Sequence, residues 1–346
     1  MLVARALWRA ATLVTPTLAV CLATTSARAQ QQAPSATRPS SDTWTDPSPH
    51  RVEMIKVAPN VSLEVLDWGG VGEPVVFLAG LGMTGHTFDE FVPQFTDRFR
   101  VLAITRRGFG ASSQPSSGYD VQTLTADIAA VLDTLHLARV VLAGHSIAGN
   151  ELTKFASTYP GRVMKLVYLD AAYDDVGVME IARLLPSPPP PSTADVASPA
   201  ALRAWIARTY GSLLPEAEVR AMNVFDAMSE YPRGVTPESI AEAVAIGVEH
   251  PAYAPVAAPA LAFYAVANSA PEMFFPVYAA LDSAGRAGAH KVFERFLDPR
   301  ARAAREQFRR EMHRGRVVEL PGARHLVFIS NAAEVAREMR TFLLAR

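Results

Sequence analysis

Cysteine is almost absent: the 346-residue chain has one, Cys21, close to its N-terminus. Beyond it a cysteine nucleophile and a thiolate metal site are excluded. A disulfide framework is excluded too, and a chain of this length has core enough to do without one. Charge of one sign is also missing. Lys and Arg total 33 against 34 Asp and Glu, a formal net charge of -1, which gives no electrostatic footprint for nucleic acid. Apolar residues make up 49% of the chain, so its bulk is not disordered. No His, Asp and Glu cluster has metal-ligand spacing, no nucleotide signature occurs, and no cofactor is implied. These exclusions leave the profile of an enzyme for a small molecule.

Long apolar runs are scarce as well. The first stretch, MLVARALWRAATLVTPTLAVCLATTSARAQ, places Arg5 and Arg9 before an apolar run that Pro16 and several threonines interrupt. Ala27-Arg28-Ala29 then gives the A-x-A pattern of a signal-peptidase site, so residues 1–29 read as a removed signal peptide and the mature protein as secreted or periplasmic. An uncleaved anchor is the rival, but the run is short for a membrane span. Lipidation of Cys21 in LAVC is a third option, with Val20 a poor residue before it. Residues 30–50, rich in Ser and Pro, read as a flexible lead-in.

From residue 51 on, short apolar runs alternate with longer amphipathic stretches. VEMIKV and VSLEVLDW flank Pro59-Asn60 as an antiparallel hairpin. VVFLA (75–79), VLAIT (101–105), VVLAG (140–144) and KLVYLD (165–170) suit strands buried on both faces. VQTLTADIAAVLDTLHL puts Leu124, Ile128, Val131, Leu132 and Leu135 on one helical face, and NELTKFASTYP runs on until Pro160-Gly161 stops it. Two more strands, 259–266 and 316–320, and the helix NAAEVAREMRTFLL follow. Such alternation predicts a mostly parallel eight-stranded sheet with helices on both faces. Residues 176–256 break the rhythm with PSPPPPS and helix-like pieces but no convincing strand. They read as a helical cap inserted into a core made of 51–175 and 257–346.

Ser146, in AGHSIAGNEL, follows a buried strand and opens a helix, where a strand-turn-helix elbow holds a hydroxyl above the sheet edge. The pattern G-x-S-x-G is incomplete, with Ala148 in its last place and Gly149 one position later. A serine needs a base within hydrogen-bond reach. Of eight histidines His325, in LPGARHLVF after the last strand, is the best placed; His86 and His145 are near enough in the pattern to line the site, but a structural role is expected for each.

Together LAGLG, TRRGFGASSQP, GHSIAG, YLDAAY and PGARH, each following its strand in order, make the chain from about residue 51 to 346 resemble an α/β-hydrolase-fold enzyme. The resemblance implies Ser146 as nucleophile, His325 as base and an oxyanion hole from the backbone N–H groups of Leu81 and Ile147. Most relatives carry the acid after the seventh strand, but that loop here, VANSAPEMF, holds only Glu272. Some relatives place it at the end of the sixth strand, where this chain has Asp170, 24 residues beyond Ser146. Asp170 and Glu272 are both candidates, with Asp170 preferred. Asp298 has a suitable spacing to His325 but a charged helical context.

The implied chemistry is acyl transfer to water, with a carboxylic ester or lactone of a small apolar molecule as substrate. Amide, thioester and carbon-carbon bond cleavage use the same groups, and a non-catalytic ligand-binding protein of this fold is the alternative of another class. The cap offers Trp205, Tyr210, Met222, Phe225, Met228 and Tyr231, any of which can wall an apolar pocket, with core packing the expected role for most. Nothing in the sequence bears on oligomeric state.

Overall fold

The computed structural model describes residues 44–226 and 229–345. The signal peptide expected over 1–29 lies outside the described residues. Eight strands form one sheet: β1 (Arg51–Ala58), β2 (Val61–Gly69), β3 (Glu73–Leu78), β4 (Phe99–Ile104), β5 (Val140–His145), β6 (Val163–Leu169), β7 (Ala260–Val266) and β8 (Gly315–Pro321). Their spatial order is β1-β2-β4-β3-β5-β6-β7-β8. The β1–β2 and β2–β4 pairs are antiparallel, and every other pair is parallel.

Each central strand feeds two cores because its side chains alternate between the faces. Phe77, Ala143, Val167 and Phe263 point to one face, where the C-terminal helix (Ala332–Leu344) adds Val335 and Met339. Leu78, Leu142, Tyr168 and Tyr264 point to the other, against α1 (Val121–Thr134) and α2 (Ala148–Thr158). The face predicted for α1 is buried at Leu124, Ile128, Val131 and Leu132, and Leu135, its C-cap, is half-buried. The Asp120 carboxylate accepts from Thr123 N and starts the helix.

Strand order reverses between β3 and β5, and there the carboxyl ends line up. Leu78 pairs with Gly144, Gly144 with Tyr168, and His145 with Leu169. A crevice outside strand ends at such a switch point is where open α/β sheets place ligands.

Between β6 and β7 the chain forms α3 (Val178–Ala182), α4 (Pro199–Tyr210), α5 (Glu216–Met222) and α6 (Glu238–Ile246). It also forms a two-residue antiparallel ribbon, Asn223–Val224 with Arg233–Gly234, that is too short to leave a period in the sequence. Between β7 and β8, α7 (Ser283–Val292), a π-turn (Phe293–Leu297) and α8 (Asp298–Glu311) follow two shorter turns.

The flexible lead-in expected over 30–50 does not extend through 44–50. Trp44 lies under the Arg220 guanidinium at 4.6 Å, and Trp68 Nε1 donates to Ser48 Oγ at 2.8 Å. Two indole rings anchor a segment that its Ser and Pro content alone marks as loose.

Candidate active site

Ser146 joins β5 to α2 with φ at +56°, a left-handed conformation that costs a non-glycine residue about 1–3 kcal/mol. Its neighbours hold it there. A Cβ at Gly149 would lie 1.7 Å from the Ala171 carbonyl oxygen, and one at Gly144 would lie 2.5 Å from Leu152 Cδ1. The small residue that the elbow cannot do without is therefore Gly149, and the buried Ala148 methyl is accommodated.

The loop leaving β3 lies against this elbow. A Cβ at Gly80 would fall 2.7 Å from His145 Nδ1 and 3.3 Å from Ser146 Cβ, so only glycine lets the backbone approach. Arg106 fixes the loop from behind. Its Nη2 donates to the Ala79 carbonyl at 2.9 Å, its Nη1 to that of Gly80 at 3.3 Å, and its Nε to Glu151 on α2 at 2.7 Å. Among the described residues neither Leu81 N–H nor Ile147 N–H has an acceptor.

Asp170, also at positive φ (+50°), ends β6 and is buried. Its Oδ1 accepts from Ala265 N at 2.9 Å and from the Tyr173 hydroxyl at 2.6 Å, and its Oδ2 lies 2.7 Å from His325 Nδ1. Burial, and then the Asp170 charge, hold the Tyr173 phenol well above its ordinary range, so it stays a donor. His325 Nε2 has no hydrogen-bond partner among the described residues. Behind it lies His145, wholly buried and held well below the ordinary imidazole range by that burial and by His325. A neutral ring meeting a carbonyl must carry its hydrogen on the meeting atom, so Nε2 donates to the His325 carbonyl at 3.2 Å.

Ser146, Asp170 and His325 line one cavity of about 240 Å³. With Asp170 against the imidazole, the other carboxylates are engaged elsewhere. Glu272 is on the cavity wall, where its Oε2 accepts from Asn268 N at 2.8 Å. Asp298 opens α8 and pairs with Arg302 at 2.8 Å. His86 is not a wall residue of this cavity.

Of the six cap residues that are candidates for the wall, Tyr210 is there. Trp205 and Met222 are buried, Phe225 and Tyr231 pack on the core, and Met228 lies outside the described residues. The cap's other wall residues are Val178, Leu185 and Ser212, and the opposite wall comes from the chain after β7, with Phe274, Phe275, Leu297 and Arg300. The charged helical pattern of that segment hid its apolar inner side. Asp175 was also missed. Burial pushes its carboxyl up to about 6, although Arg300 Nη2 lies 3.1 Å away.

Residues 75–338 match the model of the alpha/beta hydrolase family, and the chain belongs to that family. Among curated relatives, the non-heme chloroperoxidase of Streptomyces lividans is 42% identical over 108 residues, 30% of this chain and 39% of that one. The 2-(acetamidomethylene)succinate hydrolase of Mesorhizobium japonicum (strain LMG 29417 / CECT 9101 / MAFF 303099) is 29% identical over 120 residues, 35% and 41% respectively. The chain thus spans about two-fifths of the length of these relatives. The crystal structure of E-2-(acetamidomethylene)succinate hydrolase superposes with a TM-score of 0.62 at 19% identity, covering 86% of this chain and all of that one, which is a likeness of fold.

Proposed function

We propose that the protein is an exported serine hydrolase that cleaves a carboxylic ester or lactone of a small apolar molecule through an acyl-enzyme. The observation that carries this is the 2.7 Å contact of Asp170 Oδ2 with His325 Nδ1, which leaves Nε2 turned away on a cavity that Ser146 shares. Asp170 fixes the tautomer, so Nε2 is the acceptor for the Ser146 proton as the hydroxyl attacks the carbonyl. The N–H groups of Leu81 and Ile147 meet the oxyanion, and their placement rests on Arg106, Gly80 and the Ser146 elbow. His325 returns the proton to the leaving group and then activates water to free the serine.

A serine at the elbow favours acyl transfer, and the largely apolar wall favours a substrate with little charge. Export is supported by Arg5, Arg9 and the Ala27-Arg28-Ala29 site. N-terminal sequencing of the mature protein is expected to begin at Gln30.

A fluorophosphonate probe tests the central claim. The folded mature protein is expected to be labelled at Ser146 and to lose ester turnover in proportion, and Ser146→Ala to show neither labelling nor turnover. A folded protein that the probe leaves unlabelled, inert towards both p-nitrophenyl esters and lactones, would be a ligand-binding member of the fold.

A further inference from the structure

Apart from the cavity, a second cluster of polar side chains lies partly to fully buried, and the proposed catalysis makes no use of it. Asp46 and His50, from the segment before β1, meet His86 and Asp89 of the short turn Gly85–Phe88 and its C-cap. One ligand atom from each residue lies within 4.8 Å of all the others. His50 Nδ1 is 3.1 Å from Asp89 Oδ1, His86 Nδ1 is 3.0 Å from Asp89 Oδ2 and 3.4 Å from Asp46 Oδ2, and His50 Nε2 is 3.7 Å from Asp46 Oδ2.

Ion pairing alone does not account for this geometry. The side chains of His50 and Asp89 are each 4% exposed, yet His50 Nδ1 and Asp89 Oδ1 form no hydrogen bond at 3.1 Å, and Asp46 Oδ2 has none either. Buried polar atoms that face one another without a shared hydrogen are costly unless a third body satisfies them. A tetrahedral ion bound at about 2.0–2.2 Å sets its ligand atoms roughly 3.3–3.6 Å apart, and one atom from each of the four residues, all within 4.8 Å of one another, needs only small side-chain shifts to reach that spacing. His86 also turns its second nitrogen, Nε2, towards Glu64 Oε1 at 3.8 Å, and Glu64 Oε2 accepts from Thr105 Oγ1 at 2.7 Å. A carboxylate behind the far nitrogen is how a ligating histidine is oriented.

We propose that Asp46, His50, His86 and Asp89 bind one divalent cation of the zinc class. Two neutral imidazoles and two carboxylates balance its charge, and a set of two nitrogen and two oxygen donors favours zinc over calcium or magnesium. Four protein ligands leave no open position, so the ion is structural. It ties the segment before β1 to the turn five residues beyond Leu81. Glu64 is a positioning residue for His86.

The full mature chain, stripped with a chelator and dialysed, is titrated with zinc chloride by calorimetry, and bound metal is counted by mass spectrometry. One zinc per chain is expected, with a higher melting temperature. Asp46→Asn, in the partly exposed N-terminal segment, and His50→Gln are each expected to weaken binding roughly 100-fold, and Glu64→Gln roughly 10-fold. No zinc uptake by the stripped wild type overturns the proposal, as does unchanged affinity in folded Asp46→Asn and His50→Gln. If the variants do not fold, cobalt decides on the wild type alone. The intense visible absorption of tetrahedral cobalt supports the site, and its absence overturns it.

Discussion

Asp170 receives hydrogen bonds from Ala265 N and the Tyr173 hydroxyl on one oxygen and leaves the other to His325. Its carboxylate is thus locked in one rotamer, and Asp170→Asn presents an amide to Nδ1 and selects the wrong tautomer. Ester turnover is expected to fall about 10³- to 10⁴-fold with an unchanged circular dichroism spectrum, while Glu272→Gln keeps turnover near normal. The opposite outcome would move the acid to Glu272. Asp175 makes a different prediction. Burial raises its carboxyl to about 6, against Arg300 and His325, which lower it. The unfolded group titrates near 3.9, so the fold binds this proton more tightly. Its contribution to stability is greatest below about pH 4 and falls as pH rises to about 6, by about 1.4 kcal/mol for each unit of difference. Urea midpoints at pH 4 and 7 should therefore differ less in Asp175→Asn than in the wild type. Ser146, His325 and Asp170 were legible because each follows a strand in a short motif of small residues. The cluster of Asp46, His50, His86 and Asp89 was not, although Asp46 and His50 stand four apart and His86 and Asp89 three apart, because its two halves are separated by three strands and one half reads as linker.

At the level of elements, Arg106 connects three of them. It leaves the loop after β4, pairs with Glu151 on α2 and holds the carbonyls of Ala79 and Gly80 after β3. Both members of the pair are buried, so Arg106→Met strands the Glu151 carboxyl and is expected to cost about 3–5 kcal/mol in urea denaturation. Arg106→Met with Glu151→Met should recover most of that loss, since an apolar pair can replace a buried ion pair. Turnover should stay down by roughly 10-fold or more, because the loop bearing Leu81 has lost its anchor, a loss short of the 100-fold typical for a missing oxyanion donor. Full recovery of turnover in the double variant would limit Arg106 to a structural role. Elements of this kind are readable when periodicity is strong. β5 is buried at all six positions and stood out as an unbroken apolar run, whereas the two-residue ribbon of the cap has no period to detect.

For the molecule as a whole, the cavity is assembled from three stretches of chain. The strand ends bring Ser146, Asp170 and His325, the cap brings Val178, Leu185, Tyr210 and Ser212, and the segment after β7 closes the far side with Phe274, Phe275 and Leu297. The cap was visible as a break in the strand rhythm, but which of its apolar residues face inward depends on how its helices pack, and no local pattern encodes that. If the proposed ester cleavage holds, the size of the enclosure sets the acyl group. About 240 Å³ is below the roughly 300–1,000 Å³ of sites for drug-sized ligands, and the wall beside Ser146 is mainly apolar. Each methylene that is buried contributes about 0.8 kcal/mol, close to 4-fold in kcat/KM, until the space is full. Across p-nitrophenyl esters kcat/KM is therefore expected to climb from acetate to about butanoate or hexanoate and then to drop, with palmitate scarcely cleaved. Leu185→Ala, which removes part of the cap wall, should move the optimum to a longer acyl chain. A steady rise to palmitate in the wild type would mean that the acyl chain runs out between the cap and the segment after β7, so that the enclosed volume does not select the substrate.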